Sequence, residues 1–266
     1  MHILHDRSVG RRLKGFLDQA RRFDPTPEEV IRSEGRVVDA CGRESRAPEE
    51  IIEAMVRFEQ RFGGIGYKLL VGNPMTYGLR VKRHGPRRGP TAYLTEQGWA
   101  FAGIVDGDLT WGLDVLVDGR VAVDYGEPIA YRVLNRNVEQ RLQSDALLAE
   151  LRHRPHRSFE FRVANKVTPS IPDAGLPPVL PEASGEGALW WGGGESAFFA
   201  RLHSWIYDGM DSWQLWAFAV QPSAVQDVRD LVAFRALQPV ESTWCHLCGE
   251  PTTAGETCTQ APGKSA

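Results

Sequence analysis

The chain has 266 residues, 42% of them hydrophobic and 24% charged, which allows roughly two domains at about 150 residues each and excludes a disordered or fibrous chain. Lys and Arg number 31 against 34 Asp and Glu, a net charge of -3, too small to argue for polyanion binding by the whole chain, so no nucleic-acid partner is expected. No apolar run reaches the ~18 residues of a membrane span, and the start from Met1 to Arg7 lacks the apolar core of a signal peptide; the expectation is a cytoplasmic protein with no membrane partner.

Val9, Leu13, Phe16, Leu17 and Ala20 recur at helical spacing, and Asp24-Pro25 stops that helix. Thr26, Pro27 and Glu29 read as a capping box opening a second helix, which Gly35 ends ahead of a short strand, Arg36-Val37-Val38. Pro48 to Phe62 is the clearest helix. Glu49 and Glu50 suit its positive end, and Ile51, Ile52, Met55, Phe58 and Phe62 form its apolar stripe. Gly63-Gly64 supplies the left-handed residue that closes it.

From Tyr67 to Asp124 the period shortens. Strands are expected at Leu69–Val71, Leu79–Lys82, Thr91–Leu94, Trp99–Val105, Thr110–Val117 and Val121–Asp124. Trp111, Leu113, Val115 and Val117 alternate, and Asp118-Gly119 marks a hairpin. Asn135 or Asn137 then caps a helix to about Leu151, whose narrow apolar face (Val138, Leu142, Ala149) suits an edge. Val167–Gly187, with five prolines, reads as a linker with little to bury. Ser196–Tyr207 and Trp213–Val220 read as two strands, and Ser223 with Gln226 as the cap of a last helix. The tail after Pro239 is rich in small and polar residues.

Cys245-His246-Leu247-Cys248, with Cys258 beyond, offers three thiolates at spacings that suit zinc, and a closed site needs a fourth ligand such as Cys41 or His203. Gly192-Gly193-Gly194-Glu195-Ser196 lacks the lysine of a phosphate loop and the second glycine of a nucleophile elbow. Charge is uneven. Arg80, Lys82, Arg83, Arg87 and Arg88 share a stretch, Thr76 to Pro90, that holds no acid. Asp106, Asp108, Asp114 and Asp118 crowd around strand ends and turns, where exposed carboxylates would form a contact surface for a basic partner. The histidines form no acid–base pair or triad with neighbours in the sequence.

The order helix, Gly-Gly, strands, Asp-Gly hairpin and helix resembles the SUKH superfamily of bacterial immunity proteins. The matching pieces are Gly35-Arg36-Val37-Val38-Asp39, Phe58 to Ile65, Phe101-Ala102-Gly103-Ile104 and Leu113 to Val121, within residues 28–152. Ile65-Gly66-Tyr67 departs from the Leu-Pro frequent in that family after the glycine turn. The resemblance implies an α+β fold, a twisted and mainly antiparallel sheet flanked by helices; it does not explain the smaller β-hairpin plus helix segment that follows, nor the N-terminal helical extension. It also implies a role without catalysis: binding and occluding a cognate protein toxin, often a nuclease. Asp106, Asp108, Asp114 and Asp118 are then the candidate toxin-binding residues. The expected layout is a helical extension at 1–27, the SUKH-like domain at 28–152, a linker at 167–187, a small module at 188–240 and a cysteine-bearing tail at 241–266. The competing readings are an enzyme with its site near Glu195, Ser196, Arg201 and His203, and a zinc-dependent interaction module on Cys245, Cys248 and Cys258.

Overall fold

A computed structural model describes residues 1–71, 73–83, 89–106, 112–123, 131–153, 157–164, 179–192, 198–204, 212–221, 223–224 and 238–239. The fold is α+β, with a mainly antiparallel, mixed sheet flanked by helices. The chain divides into two units, Met1–Leu69 with Met75–Leu142 and Leu70–Pro74 with Gln143–Ala266.

The first unit opens with a 3-10 turn at Ile3–His5 and the helix α1 at Arg11–Asp18. Leu13 and Leu17, four residues apart, are the buried stripe of α1. The two-residue strand β1, Arg21–Arg22, follows, then α2 at Glu28–Glu34, β2 at Arg36–Val38 and β3 at Glu44–Arg46. The capping box expected at Thr26 does not form: Pro27 occupies the N-cap position without a side-chain bond. Thr26 is buried instead, donating its hydroxyl to the Val81 carbonyl at 2.8 Å and its N–H to Glu59 at 2.7 Å. Those long-range bonds satisfy its polar atoms better than an exposed cap could. The first 27 residues are therefore built into this unit, with β1 paired to β4.

Helix α3 spans Glu49–Phe62 and buries the expected stripe. It ends where Gly63 donates its N–H to the Glu59 carbonyl and Gly64 takes φ +80°. Next come β4 (Ile65–Val71), β5 (Asn73–Leu79), β6 (Thr91–Thr95), β7 (Gly98–Asp106), β8 (Gly112–Leu116), β9 (Val121–Val123) and β10 (Arg132–Asn135). The strand expected at Leu79–Lys82 lies earlier, ending at Leu79; Arg80 and Lys82 still donate their N–H groups to Gly103 and Ala102. The sheet order is β1-β4-β5-β7-β6-β2-β3, with β8 on β7, β9 on β8 and β10 on β9. Of the pairings described, only β2–β6 is parallel.

Helix α4, Val138–His153, starts at Asn137. Its side chain accepts the Gln140 N–H at 2.8 Å, and Gln140 accepts the Arg136 N–H at 2.9 Å, a reciprocal cap. Asn135 is not the cap but a buried end of β10. The expected narrow apolar face is corrected: Val138, Leu142 and every residue from Ser144 to Leu148 are buried, while Ala149 is only half-buried.

In the second unit β11 (Arg157–Ala164), β12 (Ala188–Trp191), β13 (Phe198–Ser204), β14 (Ser212–Ala219) and β15 (Gln238–Pro239) form an antiparallel sheet in the order β12-β13-β14-β11-β15. The two expected strands are β13 and β14, paired from Phe198↔Ala219 to Ser204↔Trp213. β11, ahead of the Pro-rich stretch, pairs with β14 along its whole length. Leu147, Leu148, Leu151, Trp190, Trp216 and Phe218 make the core, and Trp190 Nε1 donates to Ser144 Oγ at 2.8 Å. Residues 165–178 lie outside the described ones, as does the expected last helix beyond Ala224. Val179–Gly187 holds no helix or strand, but it is not a segment with little to bury. Ala183 is buried in that core, Leu180 donates to the Trp190 carbonyl, and Ser184 Oγ accepts the Trp190 N–H at 2.9 Å.

Candidate docking site

The hairpin that carries the site forms as the sequence indicates, with a different turn. β8 and β9 pair through Asp114↔Ala122 and Val115↔Val121. Leu116 accepts the Gly119 N–H at 2.8 Å and donates to the Arg120 carbonyl at 2.9 Å, so the loop has three residues, Val117-Asp118-Gly119. Such a loop needs a left-handed residue last, and Gly119 supplies φ +94°. Trp111 lies outside the described residues; Leu113 and Val115 are buried and Val117 is half-buried.

Behind the hairpin, Phe101 on β7 is paired with Val115 and meets Phe58 of α3 edge-on, ring centroids 5.6 Å apart. Helix α3, the hairpin, the start of α4 and Met1 then enclose an open groove of about 550 Å³. Its floor is apolar: Phe58, Phe62, Phe101, Val115, Leu116 and Val138. Its rim is charged and polar: Arg57, Gln60 and Arg61 on α3, Asp118 on the hairpin, Asn137 and Glu139 at the start of α4.

Arg61 fixes one wall. Its guanidinium bonds Asp6 at 2.6 Å, Glu139 at 2.5 Å and the Met1 carbonyl at 3.1 Å, and it lies over the Phe62 ring. Asp6 is held down to about 2 by its bonds from the Ser8 hydroxyl and N–H and then by Arg61. On the opposite side of α3 from the groove, Glu59 is buried and accepts N–H groups from Thr26 at 2.7 Å and Val81 at 2.6 Å. Burial pushes its carboxyl up to about 7, against the pull of those two N–H groups and of Arg80. Glu59 thus ties α3 to the loop before α2 and to the chain after β5.

The four candidate aspartates do not share one surface. Asp118 is exposed on the groove rim, its carboxylate 2.7 Å from Arg120 Nε. Asp114 is corrected: it is 6% exposed and accepts the Tyr93 hydroxyl, so it is unavailable to a partner. The reason is that β8 is buried on both faces, with Leu113 and Val115 on one and Asp114 and Leu116 on the other. Asp106 ends β7, its backbone paired with Tyr77, and Asp108 lies outside the described residues. So do Glu195, Ser196, Cys245, Cys248 and Cys258. Arg201 and His203 stand on β13, paired with Trp216 and Gln214 of β14. Cys41 is exposed in the turn between β2 and β3. Among the described residues no three His, Cys, Asp or Glu side chains are grouped to hold a metal. Nor is any helix among them long and apolar enough to cross a membrane.

Residues for which the sequence suggested no binding role complete the site: Arg57, Arg61, Asn137 and Glu139. Arg61 had a signal, since it stands three residues after Phe58 on the same amphipathic helix, at the border of the apolar stripe. No family model, no curated protein and no solved structure matches this chain.

Proposed function

We propose that this chain is an immunity protein that binds a cognate bacterial toxin in the cytoplasm and occludes it without catalysis, using the groove as its docking site. The observation that carries this reading is a coincidence of residues. Phe58, Gln60, Arg61 and Phe62, with Phe101 and Val115 to Gly119, line the groove and come from three of the four segments on which the SUKH resemblance rests. An apolar floor inside a charged rim is the pattern of a protein-docking surface, where buried anchors give affinity and rim charges set the encounter rate. The rim is charge-mixed, with Glu139 paired to Arg61 and Asp118 to Arg120; Asp118, exposed at the hairpin, is the carboxylate that a basic, phosphate-binding nuclease would meet.

The experiment is co-purification of the full chain with the product of the adjacent gene, followed by association kinetics. Wild type should form a stable complex with no turnover of either partner. Val117→Arg, which places a charge at the groove, should raise the dissociation rate at least tenfold while the melting temperature holds. Asp118→Lys should slow association severalfold at low salt and much less at high salt. A complex indifferent to Val117→Arg would remove the groove from the reading, and a wild-type chain that binds no such toxin would remove the reading itself.

A further inference from the structure

We propose that the face of the first sheet carried by β1, β4 and β5 binds single-stranded nucleic acid without reading its sequence. The backbone brings the cations together. Arg21 is paired with Gly66 across β1 and β4, so both stand on one face, and Lys68, two residues beyond Gly66, shares it. Phe23 lies over the same face: a Cβ placed on Gly66 or Gly78 would come within 3.4 or 3.3 Å of its ring. The Arg80 guanidinium lies over that ring, its Cζ 5.5 Å from the centroid. Arg21, Lys68 and Arg80 are all exposed; Arg80 also attracts the buried Glu59 carboxyl.

The chemistry fits a nucleic-acid strand. Glycine at 66 and 78 leaves room for the Phe23 ring to lie against the strands, with Arg80 over it on the exposed side. An exposed guanidinium beside an aromatic ring offers a π-face to a base and an N–H edge to a phosphate. Arg21 and Lys68 stand beside it, on strands about 4.8 Å apart, as further phosphate contacts. An acidic protein would meet the same charges but needs an apolar pocket for an anchor; here the Phe23 ring takes the space over Gly66 and Gly78. Arg80 is also the first cation of the acid-free run from Thr76 to Pro90, so a locally basic region survives within a chain of net charge -3.

The test is fluorescence anisotropy of the full chain with labelled oligo(dT) and oligo(U) of about 16 nucleotides, the upper end of what one small binding face covers. Binding should weaken with salt with a log–log slope of about -2, from three cations at about -0.7 each. Reversing all three (Arg21→Glu, Lys68→Glu, Arg80→Glu) should lower affinity at least tenfold. Arg80→Lys, which keeps the charge and loses the planar guanidinium, should lower it severalfold. If the triple variant melts early, Lys68→Glu alone, at an exposed strand position, should still flatten the salt slope. No binding by wild type at low salt, or binding that Lys68→Glu leaves unchanged, overturns the proposal. So does displacement of the oligonucleotides by poly-glutamate at equal charge concentration, which would make the face a site for acidic protein. None of these outcomes depends on the groove.

Discussion

Replacing Glu59 by Gln should flatten the pH dependence of stability between pH 4.5 and pH 7. The folded protein holds the Glu59 proton up to about 7, whereas the ordinary carboxyl value is 4.5. Within that window the folded state binds more protons than the unfolded one, so stability is full below about 4.5 and falls as pH rises through 7. A difference of roughly two and a half units at about 1.4 kcal/mol each makes the loss about 3 kcal/mol. Asp6 acts in the opposite sense and in another window. Its carboxyl is lowered from 3.8 to about 2, so its contribution is present at neutral pH and disappears only as pH falls toward 2. Urea unfolding at about pH 5 and about pH 8 separates the two. Wild type should lose about 3 kcal/mol across the interval, and Glu59→Gln, which has no proton to exchange, should lose little. A wild-type curve that stays flat, or a Glu59→Gln variant that keeps the wild-type slope, would refute the placement of a carboxyl in that buried bond pair.

Gly119→Val should cost about 1–3 kcal/mol, all of it from holding a β-branched residue at positive φ, because an added Cβ there meets nothing within 4 Å. The urea midpoint should fall with an unchanged m-value, and Gly119→Asn should cost less. Tyr93→Phe removes the hydroxyl that Asp114 accepts and should cost about 1–3 kcal/mol by the same measurement. Trp190→Phe takes the indole donor from buried Ser144 and should destabilise by about 1–3 kcal/mol, read by thermal unfolding of the full chain.

Local patterns carried much of the fold. Helix α3 announced itself because apolar spacing, acidic first turn and Gly-Gly stop all agree. The hairpin was legible from Asp118-Gly119, although its turn type was not, since the same pair serves a two-residue and a three-residue loop. β11 was legible and overlooked: Phe159, Phe161 and Val163 alternate with polar residues, but the basic run before them reads as a helix end. β3 carries no signal at all, because Glu44, Ser45 and Arg46 are all exposed and are strand only through pairing with β2.

The site was half legible for a similar reason. Asp118 belongs to a turn and is exposed whatever the tertiary structure does. Asp114 alternates with Leu113 and Val115 as an outward residue would, and only a sheet covered on both faces reverses that. Glu59 had a quiet marker, standing seven residues after Ile52 and four after Met55, inside the apolar stripe. A carboxylate there asks for partners, and those partners, Thr26 and Val81, lie 33 and 22 residues away.

The central claim is that this chain neutralises a toxin by docking it in the groove of α3, the hairpin and α4. Cell survival on co-expression with the product of the adjacent gene, tested first for toxicity alone, tests that claim most directly. Cells carrying wild type should grow, and cells carrying Val117→Arg, at equal amounts of folded protein, should not. Death of cells carrying abundant, folded wild-type protein would contradict the account.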